Sequence, residues 1–213
     1  EFVAYKQYVE SINGTIGGNV TFLNLGEQQH TSATGDFLGT FNSWDLAVSM
    51  SYGTQLSQNF GLGVSARYIR SNLAPDHVKV EGEKGNGTGT SFGVDVGVLY
   101  RIPKWRNLRF GANLSNMGPK ITYVDAAQAD PIPTNLKLGF AVDAINSEFN
   151  KLTISMDTNK DLVVRKTNAE GVTTSDEFYQ AIFSAWSEGS VSEQLGEMIS
   201  SIGAEYVYNN MIA

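Results

Sequence analysis

Histidine and cysteine, the side chains that most often build catalytic and metal sites, are scarce in this chain of 213 residues. It has 0 cysteines and 2 histidines, His30 and His77. Thiol nucleophiles, thiolate metal sites and disulfide scaffolds are therefore excluded. A serine nucleophile needs a base beside it, and both histidines fall in predicted loops on one side of the fold. We interpret them as solvated loop residues, although a Ser–His pair across these loops is conceivable.

Two segments resemble ligand-binding loops without meeting their requirements. Residues 83–90 are rich in glycine, but they lack the Gly-Lys-Ser/Thr ending of a phosphate-binding loop and precede a predicted strand. Residues 157–161 begin like a calcium loop, yet Leu162 stands where glycine is needed and Asn168 where glutamate is needed. The sequence therefore predicts no catalytic residue, no cofactor and no metal site.

Charge and hydropathy exclude two further classes of protein. The chain carries 15 Lys+Arg against 22 Asp+Glu, a formal charge of −7, whereas nucleic-acid binders carry a basic surface. It has no run of ~18 apolar residues that could form a transmembrane helix. We therefore expect neither a nucleic-acid partner nor a helical membrane span.

Strict alternation of apolar with small or polar residues is the dominant pattern, and it predicts strands with two unlike faces. Residues 44–53, for example, place Trp44, Val48 and Tyr52 on one face and Ser49 on the other. The same pattern predicts about nine strands, at residues 2–9, 15–25, 44–53, 60–69, 91–100, 108–115, 135–142, 152–157 and 201–209.

A membrane barrel explains these strands better than a soluble β-sandwich, which is the alternative. Strands of about 9–11 residues suit a tilted membrane crossing. Aromatic residues stand eight positions apart at the ends of the apolar face, as in Phe60 with Tyr68 and Phe92 with Tyr100. That spacing projects to roughly 20 Å, close to the ~25 Å apolar band of outer-membrane barrels. We predict an all-β, antiparallel transmembrane outer-membrane β-barrel.

The predicted connections are short at one end of the strands and long at the other. The short ones are residues 10–13, 54–59, 102–107 and 145–150, and the long ones are 26–43, 71–90, 117–133 and 160–200. In outer-membrane barrels the short turns face the periplasm and the long loops face outward. We therefore expect the long loops to be extracellular.

Residues 174–198, in the longest connection, are predicted to be helical. Thr174 with Glu177 offers a capping box before a run that has Phe178 and Trp186 at helical spacing. The helical loop would either fold onto its own barrel rim or meet a partner protein.

A second helical segment follows Gly189, where Ser190 with Glu193 offers another capping box. We expect this loop to be an insertion into one barrel domain that spans residues 1–213. Because the chain opens at Glu1 and stops within a predicted strand, that domain is expected to be partial, with N-terminal plug or strands and C-terminal strands absent.

The polar face is predicted to line the barrel interior, and its charges admit two interpretations. They could surround a substrate path, or they could pair across the interior, with Asp45–Arg67 and Asp95–Arg109 as candidates. Because the other inward residues are mostly small, we favour an interior filled by a plug segment or by neighbouring side chains.

Three sequence blocks carry a family resemblance: FGLGVSARYIRSNLA at residues 60–74, LSNMGPKITY at 114–123 and IPTNLKLG at 132–139. On these blocks the chain resembles the PorV/PorQ family of FadL-like outer-membrane barrels. The resemblance implies a barrel of fourteen strands in the full protein, of which about nine lie in this chain. It also implies a non-enzymatic component of the type IX protein secretion system.

The resemblance further implies the partners. They would be the large translocon barrel, the C-terminal signal domains of secreted cargo, the sortase-like attachment complex at the cell surface, and outer-membrane lipid. Our candidate contact segments are the loops 26–43, 71–90 and 117–133. Our partner-binding candidates are Phe178 and Trp186 in the helical loop, together with Pro119, Pro131 and Pro133. The three prolines would stiffen the loop at 117–133.

A FadL-type transporter of hydrophobic small molecules is the alternative function, and a soluble β-sandwich adhesin is a third. Alternation and composition favour a barrel, whereas only the family resemblance favours secretion.

Overall fold

The computed structural model describes residues 1–32, 34–74, 87–105, 107–123, 129–167, 173–187, 189–209 and 211–212. The long strands are β1 (Phe2–Val9), β2 (Gly14–Thr31), β3 (Phe37–Ser57), β4 (Phe60–Asn72), β5 (Thr88–Ile102), β6 (Leu108–Met117), β7 (Asn135–Asn146) and β8 (Asn150–Asp161). After these come the short β9 (Arg165–Thr167) and β10 (Thr173–Ser175), helices α1 (Phe178–Ser184) and α2 (Val191–Gly196), then β11 (Ile199–Tyr208) and β12 (Met211–Ile212).

One antiparallel sheet contains ten of these strands, in the order β1-β2-β3-β4-β5-β6-β7-β8-β11-β12. Each strand pairs with its neighbours along the chain, and only the β9–β10 hairpin with the two helices interrupts the sequence order. The nine strands predicted from alternation are confirmed as β1 to β8 and β11. Neither helix of the described residues is long and apolar enough to cross a membrane.

The two faces of the sheet have the reverse of the usual burial. On β3, Ser49 is 4% exposed, whereas the adjacent Met50, which points to the other face, is 68% exposed. Phe92, Phe140 and Met156 are likewise exposed on their strands. Large apolar side chains on the outside and small polar ones inside are the pattern of a barrel wall that is solvated by lipid.

The connection predicted at residues 26–43 is wrong, because β2 and β3 extend through most of it. Their ladder runs as far as the pair Thr31 and Phe37, so only residues 32–36 lie between the two strands. The strand pairing shifts register at Gly26, whose φ is +84°, and then continues beyond the residues where alternation stops. His30 consequently lies within β2 and is half-buried, so its placement in a loop is also wrong.

The first helix begins later than the sequence indicates. Thr174 lies in β10, where it pairs with Lys166, so the capping box of Thr174 with Glu177 is wrong. Glu177 is itself the N-cap, and it forms a reciprocal capping box with Gln180. The second capping box, between Ser190 and Glu193 at the start of α2, is confirmed.

The two inward ion pairs suggested by the sequence are also wrong. Arg67 pairs with Asp95 at 3.0 Å, and Arg109 pairs with Asp143 at 2.8 Å. The register explains the change, because Asp45 stands opposite Ser71 while Asp95 stands opposite Ser65, diagonally next to Arg67. The Oδ1 atom of Asp45 is buried without a hydrogen-bond partner.

Candidate functional site

The connection between β6 and β7 folds inward against the sheet. We call its described residues, 118–123 and 129–134, the arch. Its two limbs are joined by a pair of backbone hydrogen bonds of 2.8 and 2.9 Å between Ile121 and Asp130. Ile121 and Ile132 are buried, and they lie over Gly89 and Gly93 on the inner face of β5. Glycine is needed at position 89, where a Cβ would lie 2.6 Å from the Ile121 side chain.

A polar network on the inner face holds the base of the arch. Arg67 on β4 reaches across β5 and donates to the Asn116 side-chain oxygen at 2.8 Å. The Asn116 backbone N–H donates to Asp95 at 2.8 Å, and its side-chain amide donates to the Pro133 carbonyl at 3.0 Å. Asn116 has a φ of 58°, a left-handed conformation that asparagine tolerates better than most residues. The network therefore joins three strands to the arch.

Hydrogen bonds from side-chain hydroxyls to backbone carbonyls hold both ends of the arch. The Ser91 hydroxyl donates to the Pro119 carbonyl at 2.7 Å, and the Thr134 hydroxyl donates to the Asn116 carbonyl at 3.0 Å. Pro119 and Pro133 are exposed, whereas Pro131 is half-buried. The arch thus buries isoleucine and threonine side chains and leaves two proline rings exposed.

Helix α1 packs against the segment that leads out of β8. Leu162 and Val164 are almost fully buried, and Ala185 completes this small core just after α1. Its partly buried neighbours are Leu114, Leu136 and Ile182. The insertion between β8 and β11 therefore folds onto its own rim, which was one of the two alternatives considered from the sequence.

The insertion is also tied to the arch. The Lys120 ammonium donates to the Ser175 carbonyl at 2.6 Å and lies 3.1 Å from the Glu177 carboxylate. Asp130 lies 3.6 Å from Arg165 at the start of β9. Arch and insertion consequently form one continuous surface at the end of the sheet that has the long connections.

The five partner-binding candidates all lie on this surface but in different environments. Phe178 is half-buried, with its ring edge-to-face against Tyr179 at 5.6 Å. Trp186 is exposed, and its ring centre lies 5.8 Å from the Lys160 ammonium. The sequence interpretation missed Phe183, an exposed aromatic residue that the helical period from Tyr179 could have identified. Contact of these residues with a partner stays a prediction.

Asp176 closes the base of the insertion and makes its stability depend on pH. Its carboxylate accepts hydrogen bonds from the Lys166 ammonium at 2.9 Å and from the Ser184 hydroxyl at 2.8 Å. These bonds, that of Lys166 first, lower the pKa of Asp176 from its ordinary value of 3.8. A carboxyl group whose pKa is lower in the folded state stabilises that state above its unfolded pKa, and this contribution is lost as the pH falls through the folded pKa.

We therefore expect the insertion to loosen below about pH 4, near the ordinary pKa of an aspartate. Hydrogen exchange of the α1 amides should rise, relative to those of β7, between neutral pH and pH 3 once the intrinsic pH dependence is corrected. In Asp176→Asn the amides should already exchange faster at neutral pH and should show less of this rise. An equal rise in both proteins would contradict the assignment to Asp176.

The described residues offer no arrangement that suggests metal chemistry, since no group of three or more His, Cys, Asp or Glu could hold an ion among them. His77 and residues 83–86 of the glycine-rich loop lie outside the described residues. Asp157, the first residue of the calcium-like segment, instead lies 3.4 Å from Lys137 on the neighbouring strand.

Comparison with known proteins identifies the family. The family model described as "Type IX secretion system protein PorV" matches residues 2–168, which include β1 to β9, the arch and the Arg67 network. No curated protein matches the chain. The PorV family is a family of secretion-system components and not a known enzyme family. The match covers most of the 213 residues, so the chain belongs to the PorV family and is an all-β outer-membrane component of the type IX secretion system.

Proposed function

We propose that this chain captures and shuttles secreted proteins without catalysing a reaction. It binds the large translocon barrel and the C-terminal signal domain of cargo, and it delivers cargo to the sortase-like attachment complex at the cell surface. The observation that carries this proposal is the arch, which presents the exposed Pro119 and Pro133 on a backbone held by hydrogen bonds from Ser91 and Asn116. A surface ordered before its partner arrives loses less conformational entropy on binding.

The surface formed by the arch and the insertion would face away from the cell. Support comes from the unequal connections, since the turns at Glu10–Ile12 and at residues 147–149 are short while the arch and the insertion are long. Outer-membrane barrels place short turns in the periplasm and long loops outside. The insertion would then meet cargo after it leaves the translocon.

The experiment that tests this function is a mild-detergent pull-down of the full-length protein from its native outer membrane, with partners identified by mass spectrometry. We expect a very large barrel and secreted proteins that share a C-terminal domain. A lone barrel that carries only lipid or fatty acid would contradict the proposal.

Replacing Phe178 and Trp186 together with alanine should weaken recovery of cargo and translocon in that pull-down. Both side chains belong to the proposed capture surface, and large aromatic residues dominate the binding energy of many interfaces. The rest of the barrel should remain folded, because neither ring belongs to the buried core of Leu162, Val164 and Ala185.

The matched control is Trp105→Ala with Phe149→Ala. These residues are the same two residue types, and both are exposed, but they lie in the short turns at the opposite end of the sheet. Recovery of partners should be unchanged in the control. Equal recovery in the two double variants would mean that Phe178 and Trp186 do not contribute to capture.

Transport of a hydrophobic small molecule is the second candidate function. It is favoured by an open concavity of about 610 Å³ on the inner face, whose lining includes Gly53, Gly63, Gly97 and Gly111. Bound fatty acid without protein partners in the pull-down would support this alternative.

A further inference from the structure

The outward face of the sheet continues onto the insertion. Leu114, Leu136 and Lys160 stand directly opposite one another on β6, β7 and β8, so their side chains share one face. Leu138 and Phe140 continue this face along β7, and both are exposed. This face is the lipid-facing side of the barrel wall, and the row with Leu114 lies at its edge beside the long connections.

The insertion covers that edge from the outside. Leu162 and Val164 pack on Leu114 and Leu136. Lys160 is only 3% exposed because its ammonium is bonded to the Glu197 carboxylate and lies beside the Trp186 ring. A lysine on the lipid face of a barrel is unfavourable. The insertion therefore covers a lysine that would otherwise stand at the lipid-facing edge of the wall.

The opposite face of α1 carries exposed aromatic side chains. Tyr179 is 56% exposed and Phe183 is 77% exposed. They are one helical turn apart, so they lie on the same side of the helix. The alanines that pack inward, Ala181 and Ala185, are almost fully buried. Two adjacent exposed aromatic side chains extend the apolar surface of the sheet onto the helix, and contiguous apolar surface of this kind marks interaction sites, membranes among them.

We propose that Tyr179 and Phe183 insert into the headgroup region of the membrane. They would extend the aromatic girdle of the barrel wall sideways onto α1. Three observations lead to lipid as the occupant: the insertion packs on the outward face, it is continuous with the exposed Leu138 and Phe140, and its free side is aromatic. Tyrosine is enriched at membrane–water interfaces, and phenylalanine is common on the buried face of helices that lie in that interface. This proposal does not depend on the proposed capture of cargo.

The test uses single-cysteine variants, which are convenient because this chain contains 0 cysteines. Phe183→Cys carries a nitroxide label in the protein reconstituted into phosphatidylcholine vesicles. Collision of the label with oxygen, which concentrates in lipid, is compared with collision with a water-soluble nickel complex. Phe140→Cys is the lipid-facing control. Gln29→Cys, exposed on the β2–β3 hairpin beyond Gly26, is the water-facing control.

We expect the ratio of oxygen to nickel collisions at Phe183 to exceed that at Gln29 several-fold and to approach that at Phe140. A ratio equal to that at Gln29 would overturn the proposal. So would a label that becomes protected only when the translocon is added, because a protein would then cover this face. Heat-modifiable gel mobility confirms folding. Tyr179→Cys is the second variant if the Phe183→Cys protein does not fold.

Discussion

Adding one methyl group at Gly118 should destabilise the protein by about 3 kcal/mol, the upper end of the usual range for overpacking. A Cβ at this position would lie 1.8 Å from the Phe92 carbonyl oxygen and 2.9 Å from Ile132 Cδ1. The first of these atoms is backbone in β5, so it cannot move without disturbing the ladder. Denaturant unfolding in detergent micelles, followed by tryptophan fluorescence, measures the effect of Gly118→Ala.

Gly53→Ala is the matched control for this substitution. Gly53 lies on the inner face of β3, and the nearest atom to its added Cβ would be 3.8 Å away, an ordinary contact distance. Its stability should stay close to that of the parent. If the two variants unfolded at the same denaturant concentration, the close approach of the arch to β5 would be incorrect.

Replacing Asp95 with alanine should cost about 2–3 kcal/mol. Breaking a fully buried ion pair typically costs 3–5 kcal/mol, and here the effect is smaller because Arg67 is about one-third exposed. The change removes two acceptors at once, one for Arg67 and one for the Asn116 backbone N–H. Asn116 would then lose support for its left-handed conformation, and the arch should become sensitive to protease.

Asp157→Ala provides the comparison on the same face of the barrel. Asp157 lies 3.4 Å from Lys137, but both side chains are well exposed, so the pair should contribute less than about 1 kcal/mol. Limited proteolysis and denaturant unfolding of the two variants should therefore differ clearly. Equal losses would show that the Asp95 network has no special role in holding the arch.

Both substitutions affect the blocks that carry the family resemblance, because Gly118 lies in one of them and Asp95 bonds to Arg67 and Asn116 in two of them. Asn116 and Gly118 lie in the block at residues 114–123, and Pro133 with Thr134 lie in the block at 132–139. In the structure these two blocks meet through the bonds from Asn116 to Pro133 and from Thr134 to Asn116. The direct role of these motifs is therefore structural, because they build the arch that is proposed to meet partners.

The strands were predictable because their signal is local. Successive side chains on a strand point to opposite faces, so the position along the strand determines the face. An apolar outward face is typical of a wall in contact with lipid. This is why alternation located β1 to β8 and β11. The prediction stopped too early at β2 and β3, because beyond the register shift at Gly26 the hairpin no longer alternates: the adjacent Phe37 and Leu38 are both exposed.

The ion pairs and the site could be predicted only in part. Arg67 and Asp95 were recognised as inward charges, but their partners depend on the register between strands, which the pattern within one strand does not specify. Phe178 and Trp186 were both predicted to be helical, but α1 ends at Ser184 and Trp186 lies in the turn after it, so that part of the prediction is wrong. Which of the two rings is half-buried depends on how α1 packs on Leu162 and Val164.

The sequence by itself determined that this chain forms an antiparallel sheet with an apolar outside and a polar inside. That property follows from the alternation of neighbouring residues along each strand and from the difference between lipid outside the wall and the polar interior. Only the tertiary structure decided that the arch folds inward over Gly89 and that the insertion folds outward over Leu136 and Lys160. These choices depend on close contacts between residues far apart in the chain, where a single added atom can change the outcome.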